Sequence, residues 1–435
     1  MVENKTILRL VEDQLCTGCG TCMALCPQKA IEMVNDVQNG IYIPHIEREL
    51  CIKCGICFKV CPGPGIDFDQ LNLEVYGKIS ENILTGIYRN CYIGHASDHD
   101  IRRQSSSGGL ITALLIYALE ERIIDGALVT RMNKNKPLEP EPFIAKTKDE
   151  IIEASKSKYC PVPANIAIRE ILEAKDCKRF AVVGLPCHIQ GLRKAEKINK
   201  ELKTKIVLHL GLFCNHVPNF WGTRILLQKL KIKEDEIIKL DYRGDGWPGF
   251  MNISMKDGRH RQFHLPDFWR FLGMYFFFPT RCLMCSDLFC ELADISFGDA
   301  WLPELSDDKI GTSIIISKND MAENILQKMK LKKKIELSEI DVEKVTQSQI
   351  KPVYLKKKNL AASEWLFKNV PVYNNVLEPD RLDKLLAVFP YINSRMCSKS
   401  HFRKILRYTP FEILSIYNNT YDMLFLKKVK QDTKI

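Results

Sequence analysis

Eight cysteines open the chain at a spacing suited to iron. Cys16-x-x-Cys19-x-x-Cys22-x-x-x-Cys26-Pro27 recurs as Cys51-x-x-Cys54-x-x-Cys57-x-x-x-Cys61-Pro62. In bacterial ferredoxins this spacing gives three thiolates to one cubane and sends the fourth across to the other. It therefore predicts one [4Fe–4S] cluster on Cys16, Cys19, Cys22 and Cys61. A second falls to Cys51, Cys54, Cys57 and Cys26. A zinc ribbon would instead use paired Cys-x-x-Cys units, not two four-cysteine runs each ending in Cys-Pro.

Four later cysteines invite a third site. Cys187 follows the apolar run Ala181-Val182-Val183 and the turn Gly184-Leu185-Pro186, at the start of a stretch with helical spacing. Free amide N–H groups at a helix start favour the thiolate. A second strand-like run, Ile206 to Leu212, delivers Phe213-Cys214. Two successive strands of a βαβ unit would then end in cysteine on the carboxyl edge of a parallel sheet, where ligands sit. Arg281-Cys282-Leu283-Met284-Cys285 adds a Cys-x-x-Cys. Cys187, Cys214, Cys282 and Cys285 together make a third four-thiolate set. Taken singly, Cys187 or Cys214 reads as a small buried hydrophobe, and a lone Cys-x-x-Cys also suits zinc or a redox disulfide. Cys290 is a spare thiol, and Cys160, beside Pro161, reads as structural.

An anion site is the other chemical signal. Ser105-Ser106-Ser107-Gly108-Gly109 runs into the helical stretch Leu110 to Leu119. Such a loop offers amides and hydroxyls to a pyrophosphate, although Ser and Gly before a helix also serve as a plain cap and turn. In Ser155-Lys156-Ser157-Lys158-Tyr159 the lysines can meet a phosphate or a flavin's anionic edge, or be solvated.

Other segments must hold these groups in place. Ile31 to Val34 and Ile41 to Ile43 flank Asn39-Gly40, a hairpin signal. Residues 63–90 read as a connector. Ile124 to Thr130 reads as a turn and strand, Ala164 to Ala174 as a helix, and Phe268 to Phe278 as a core helix. The loop Tyr242 to Gly249 either walls a pocket or packs as a tight turn. From about Lys332 the pattern is Lys-rich and helical. Residues 395–435 carry nine Lys/Arg against three Asp/Glu. That basic amphipathic tail packs back on the domain, or lies as a peripheral contact on an anionic membrane.

Composition narrows the class. The chain has 435 residues, 17 cysteines and a formal charge of +10. Each four-thiolate cubane carries formally about −2, so three would remove roughly 6 of those charges. Nucleic acid is therefore not indicated by charge, and no nucleic-acid motif is present. The start resembles no secretory signal, and no apolar run is long enough to span a bilayer. With thiols at metal spacings, a reduced, cytoplasmic protein is expected.

These motifs in this order resemble the coenzyme F420 hydrogenase/dehydrogenase beta-subunit family. The likeness rests on the Ser105–Gly109 loop, Ser157-Lys158-Tyr159, Gly184 to Gly191, Leu212-Phe213-Cys214, Arg281 to Cys285, and Ala293-Asp294-Ile295-Ser296-Phe297-Gly298-Asp299. It implies an α/β flavoprotein with FAD beside one [4Fe–4S] cluster. It also identifies the ligand of Ser106, Ser107, Gly108, Gly109, Ser157 and Lys158 as FAD. The expected fold is therefore a multidomain α+β and α/β chain. A ferredoxin-like two-[4Fe–4S] domain fills 1–85 and an α/β flavin- and [4Fe–4S]-binding domain fills 88–345, in parts 88–174 and 175–345. A basic, mainly helical extension follows over 346–435. The implied function is electron transfer between F420, or a similar two-electron carrier, and ferredoxin or a partner redox subunit. Alternatives are a ferredoxin-dependent reductase of another small molecule and an electron-wire subunit without a substrate site. No catalytic acid or base is assigned.

Overall fold

The computed structural model describes residues 6–433. In the N-terminal part, β1 (Ile31–Asp36) and β2 (Ile41–Ile46) form an antiparallel hairpin in the register Ile31↔Ile46 to Asp36↔Ile41. Asp36 accepts from the amides of Gln38 and Asn39, and Gly40 takes a positive φ of 66°. Each cysteine motif leads into a one-turn helix, Thr21–Ala24 and Ile56–Lys59, entered through left-handed Gly20 and Gly55. The repeat extends to the backbone. Gly18 has a φ of 70° and its counterpart Lys53 a φ of 53°, although a side chain disfavours that region.

Residues 63–90 are not a plain connector. They contain α1 (Phe68–Tyr76), capped by Asp67, which accepts from the Gln70 amide, and stopped by left-handed Gly77. Phe68 and Leu71 are buried and fix its inner face.

The central sheet has eight strands. In chain order they are β3 (Asn90–Ala96), β4 (Gly126–Met132), β5 (Pro140–Ala145), β6 (Phe180–Gly184), β7 (Ile206–Leu212), β8 (Ile295–Asp299), β9 (Ser313–Ser317) and β10 (Ile335–Ile340). Their spatial order is β10-β3-β9-β8-β7-β6-β4-β5. The four central strands β8, β7, β6 and β4 are parallel, and antiparallel strands flank them. Phe180, Ala181 and Val182 of β6 and Ile314 to Ile316 of β9 are all fully buried, as strands covered on both faces require. Two antiparallel steps bring β3 back to the direction of β8. The carboxyl ends of β3, β6, β7 and β8 therefore share one edge. Strand β10 occupies the start of the segment expected to be helical, because it pairs with β3 from Ile335↔Ala96 to Ile340↔Cys91.

The helices that matter for the site are α2 (Leu110–Glu120), α3 (Pro186–Ile198), α4 (Leu265–Leu272) and α5 (Thr280–Leu283). The core stretch 268–278 is not one helix. Helix α4 ends before Gly273, and a 3₁₀ turn at Tyr275–Phe277 follows. The C-terminal segment adds α6 (Ile350–Ser363), α7 (Arg381–Cys397), α8 (Ser400–Tyr408) and α9 (Phe411–Thr433). Tyr421, Phe425 and Val429 of α9 pack on Tyr275 and Phe278. No helix among the described residues is long and apolar enough to cross a membrane.

Candidate functional site

Cys16, Cys19, Cys22 and Cys61 come together in the N-terminal part. Burial, reinforced by Cys19, Cys16 and Cys61, holds the Cys22 thiol well above its ordinary range. Burial likewise pushes Cys16 up to about 12. Amides already point at sulfur: Gly18 N–H donates to Cys16 Sγ (3.4 Å) and Gly63 N–H to Cys61 Sγ (3.2 Å). Cys51, Cys54 and Cys57 form a second group. Burial raises Cys57, with repulsion from Cys54 and Cys51 adding to it, and Cys54 is exposed. The half-buried Cys26 accepts from the Ala30 amide (3.3 Å).

The third group is built by the sheet edge. Strand β6 ends at Gly184, and Pro186 and Cys187 open α3. Strand β7 ends at Leu212, and the Cys214 amide donates to the Leu288 carbonyl (2.9 Å). Cys282 lies in α5 and Cys285 just beyond it. Burial drives Cys187 far up, with Cys19, Cys214, Cys282 and Cys285 all adding repulsion. Burial pushes Cys214 up to about 12. Among the described residues no group of three or more His, Cys, Asp or Glu side chains is arranged to hold a metal ion. A cubane spreads its thiolates over separate corners, which is a looser demand than one ion makes.

The surrounding charges fit such a cluster. Arg281 is buried, and among the described residues its guanidinium donates only to the carbonyls of Leu15, Pro62 and Gly63 and to Tyr373 Oη. Lys356, also buried, donates to the Cys282 carbonyl (3.2 Å). Neither makes an ion pair with a carboxylate among the described residues. A buried cation needs a counter-charge, and neutral thiols supply none. Thiolates around a cluster would.

Cys19 is linked by a short polar bridge to the backbone of His188, the residue after Cys187. Cys19 Sγ lies 3.3 Å from Thr21 Oγ1, to which Asn165 Nδ2 donates (2.7 Å). The same Nδ2 donates to the His188 carbonyl (2.8 Å), and the Asn165 amide donates to the Cys19 carbonyl (2.9 Å). Further along α3, Lys194 donates to the Cys61 carbonyl (2.6 Å). Helix α3 thus touches the first and third thiol groups at once. His188 is structural: its Nδ1 accepts from Leu185 N–H (3.1 Å) and its Nε2 faces the Val162 carbonyl (3.0 Å). Burial pulls it down to about 4, so it is neutral.

A cavity of about 400 Å³ opens on the same edge. It runs from Ser105, Ser106, Ser107 and Gly109 to Cys214 and His216. That volume lies in the range of small-molecule sites. Helix α2 starts there behind left-handed Gly109 with no side-chain cap, so its first amides are available to an anion. Ser106 Oγ accepts from Ser157 N–H (2.7 Å), locking the two loops together. Lys158 lines the cavity, but its ammonium donates to the carbonyls of Ala154, Ser155 and Lys156, and burial lowers it to about 7. It braces the loop. Lys156 pairs with Asp241 (2.8 Å). The Tyr242–Gly249 loop does wall the cavity: Arg243 lines it, held by Asp299 through bonds of 2.7 and 2.9 Å.

Gly108 faces away from the cavity, onto the sheet. Its amide donates to Ser313 Oγ (2.9 Å), and an added Cβ would lie 2.6 Å from the Gly94 carbonyl oxygen. The positive φ in this loop belongs to Gly109. Gly108→Val therefore forces the loop off β3 and β9 rather than crowding a ligand directly. The expected cost is about 1–3 kcal/mol of overpacking, with the loop displaced from the two strands. The denaturant midpoint of the purified variant checks this; a midpoint equal to the parent's would refute it.

Sequence reasoning missed Arg281, Asn165 and Lys356. Arg281 is adjacent to Cys282 and so was within reach. Lys356-Lys357-Lys358 reads as a solvated run, yet Lys356 and Lys357 are buried.

Comparison with known proteins agrees with this architecture. Residues 91–169 and 177–343 match the models for the N-terminal and C-terminal parts of the coenzyme F420 hydrogenase/dehydrogenase beta subunit. Residues 15–63 match a 4Fe-4S dicluster domain. The coenzyme F420 hydrogenase subunit beta of Methanothermobacter thermautotrophicus is 28% identical over 252 residues, 56% of this chain and 82% of that protein. The coenzyme F420-dependent sulfite reductase of Methanocaldococcus jannaschii is 29% identical over 356 residues, 79% of this chain and 50% of that protein. A chain of the F420-reducing [NiFe] hydrogenase complex from Methanosarcina barkeri shares the fold. Its TM-score is 0.53 at 22% identity, over 68% of this chain and 98% of that one. With both halves of the subunit matched in order over more than half its length, this chain belongs to the coenzyme F420 hydrogenase/dehydrogenase beta-subunit family and carries a 4Fe-4S dicluster domain ahead of it.

Proposed function

We propose that the chain is an iron–sulfur flavin oxidoreductase. It passes electrons between coenzyme F420, or a similar two-electron carrier, and ferredoxin or a redox partner subunit. The observation that carries this reading is the continuity of one cavity from the uncapped start of α2 to Cys214. A flavin supplies exchange between hydride and single electrons, and iron–sulfur clusters carry electrons one at a time. Ser106, Ser107 and Gly109, with the first amides of α2, hold the FAD diphosphate. The helix dipole and the amides neutralise it without a fixed basic side chain. Ser157 and Lys158 keep that loop in shape.

Cys187, Cys214, Cys282 and Cys285 hold a third [4Fe–4S] cluster at the cavity's inner end. The Cys19–Thr21–Asn165 bridge sets its distance to the cluster of Cys16, Cys19, Cys22 and Cys61. The cluster of Cys51, Cys54, Cys57 and Cys26, with Cys54 exposed, faces the partner. Twelve of the seventeen cysteines used in this way fit a reducing, cytoplasmic setting.

The test is anaerobic purification of the full chain, followed by iron, flavin and donor assays. About twelve iron atoms and one FAD per chain are expected, with reduction by one of F420, nicotinamides or ferredoxin. About eight iron atoms would remove the third cluster. Absence of flavin from fully metallated protein would favour the electron-wire alternative.

A further inference from the structure

Residues beyond 343 lie outside the matched family models, yet α6 packs directly on the Cys-x-x-Cys segment. Asn359 Nδ2 donates to the Leu283 carbonyl (2.8 Å) and Lys356 Nζ to the Cys282 carbonyl (3.2 Å). Tyr373 Oη accepts from Arg281 (2.7 Å), and Ser286 donates to Asn375 Oδ1 (2.6 Å). The segment thus clasps 281–286 from one side.

Within this clasp two neighbouring lysines are treated differently. Lys357 is fully buried and pairs with Glu291 at 2.6 Å. Lys356 is 4% exposed and has no carboxylate partner among the described residues. Its only polar contact there is the Cys282 carbonyl. The groups whose charge it faces are Cys285, Cys214, Cys282 and, more weakly, Asp287. Asp287 is itself engaged by Gln190 and by the Glu291 amide. A buried ammonium without an anion costs several kcal/mol. Three of the third site's four cysteines are the groups placed to offset that cost.

We propose that Lys356 is a positioning residue of the third thiolate site, a fixed positive charge from the C-terminal segment that raises the reduction potential of the cluster held there. The inference rests on the reading that Cys187, Cys214, Cys282 and Cys285 hold that cluster. Reduction adds one electron and one unit of negative charge with no bond made or broken. A nearby cation therefore favours the reduced form. This makes the third cluster a stronger electron acceptor than the same thiolate set without the lysine would be.

The test is an EPR-monitored redox titration of the anaerobic full-length protein and its Lys356→Met and Lys356→Arg variants. The third-cluster signal is identified as the one missing from Cys214→Ala. In Lys356→Met the reduced/oxidised equilibrium of that cluster should shift at least about tenfold toward oxidised, or about 59 mV for one electron. The other two clusters should not move, and Lys356→Arg should keep the parental value. A fully loaded Lys356→Met protein with parental potential overturns the proposal. If Lys356→Met loses the third cluster, Lys356→Arg decides. Parental iron and potential there support a role for charge, and loss in both variants overturns it. About eight iron atoms in the parent would instead sink the third-cluster reading, and this proposal with it.

Discussion

On the proposed three-cluster assignment, Cys214→Ala protein is expected to hold about eight iron atoms against about twelve in the parent, and to lose transfer to the dicluster domain. Cys214 is the thiol that both lines the cavity and belongs to the third group. Removing it takes one of the four proposed ligands. It also takes one of the charges that Lys356 faces. Reduction of the proposed flavin by a hydride donor should persist, because the start of α2 and the Ser105–Gly109 loop are untouched. Stopped-flow absorbance separates the two steps: flavin bleaching at parental rate, with cluster bleaching at background. Parental iron with parental cluster reduction would refute the assignment of Cys214.

Asp294→Ala should be the most destabilising change outside the thiols, by about 3–5 kcal/mol. Asp294 is buried and holds Arg193 (3.2 Å) and His209 (3.0 Å), while Glu196 takes the other face of His209 (2.6 Å). Arg193 and Glu196 sit on α3, and His209 on β7. The four groups clamp the helix that carries Cys187 onto the strand that delivers Cys214. Two cations balance two anions, so removing one carboxylate strands a buried positive charge. Burial and Arg193 push His209 down, but Glu196 and Asp294 outweigh them and its folded pKa is raised. That contribution is full below about 6.5 and fades as pH rises through the folded value. Denaturant midpoints at several pH values check both points. A midpoint within error of the parent would refute the clamp.

Motif spacing was a good guide where chemistry repeats locally. The two ferredoxin motifs, the β6–α3–β7 unit and the Ser/Gly loop all stand where short-range pattern put them. What stayed hidden was set by distant contacts. Gly108 looked like a ligand contact, yet its orientation follows from Gly94 and Ser313 on two other strands. Lys158 looked like a phosphate partner, and only the fold shows three carbonyls waiting for its ammonium. Strand β10 was lost behind the lysines at 332–334, although buried Ile335 and Leu337 alternate with exposed Glu336 and Ser338 along its pairing with β3. Lys356 carried no local signal. A lysine triplet reads as solvent-facing until a segment 74 residues upstream is seen packed against it.

The attachment of the dicluster domain bears on how the protein moves charge. Arg169 caps the Thr21–Ala24 helix through the carbonyls of Met23, Ala24 and Cys26. The hairpin tip is pinned by Phe220 N–H on the Gly40 carbonyl, by Trp221 on the Val37 carbonyl and by Arg403 on the Gln38 carbonyl. Gly65–Ile66 pairs with Val372–Tyr373 in a two-residue parallel ladder. These anchors come from the sheet domain and from the C-terminal segment, on several sides. The domain is therefore no tethered shuttle that swings between donor and acceptor. On the proposed reading its relays are soldered in place, and traffic along them depends on fixed gaps between stations rather than on the diffusion of an arm.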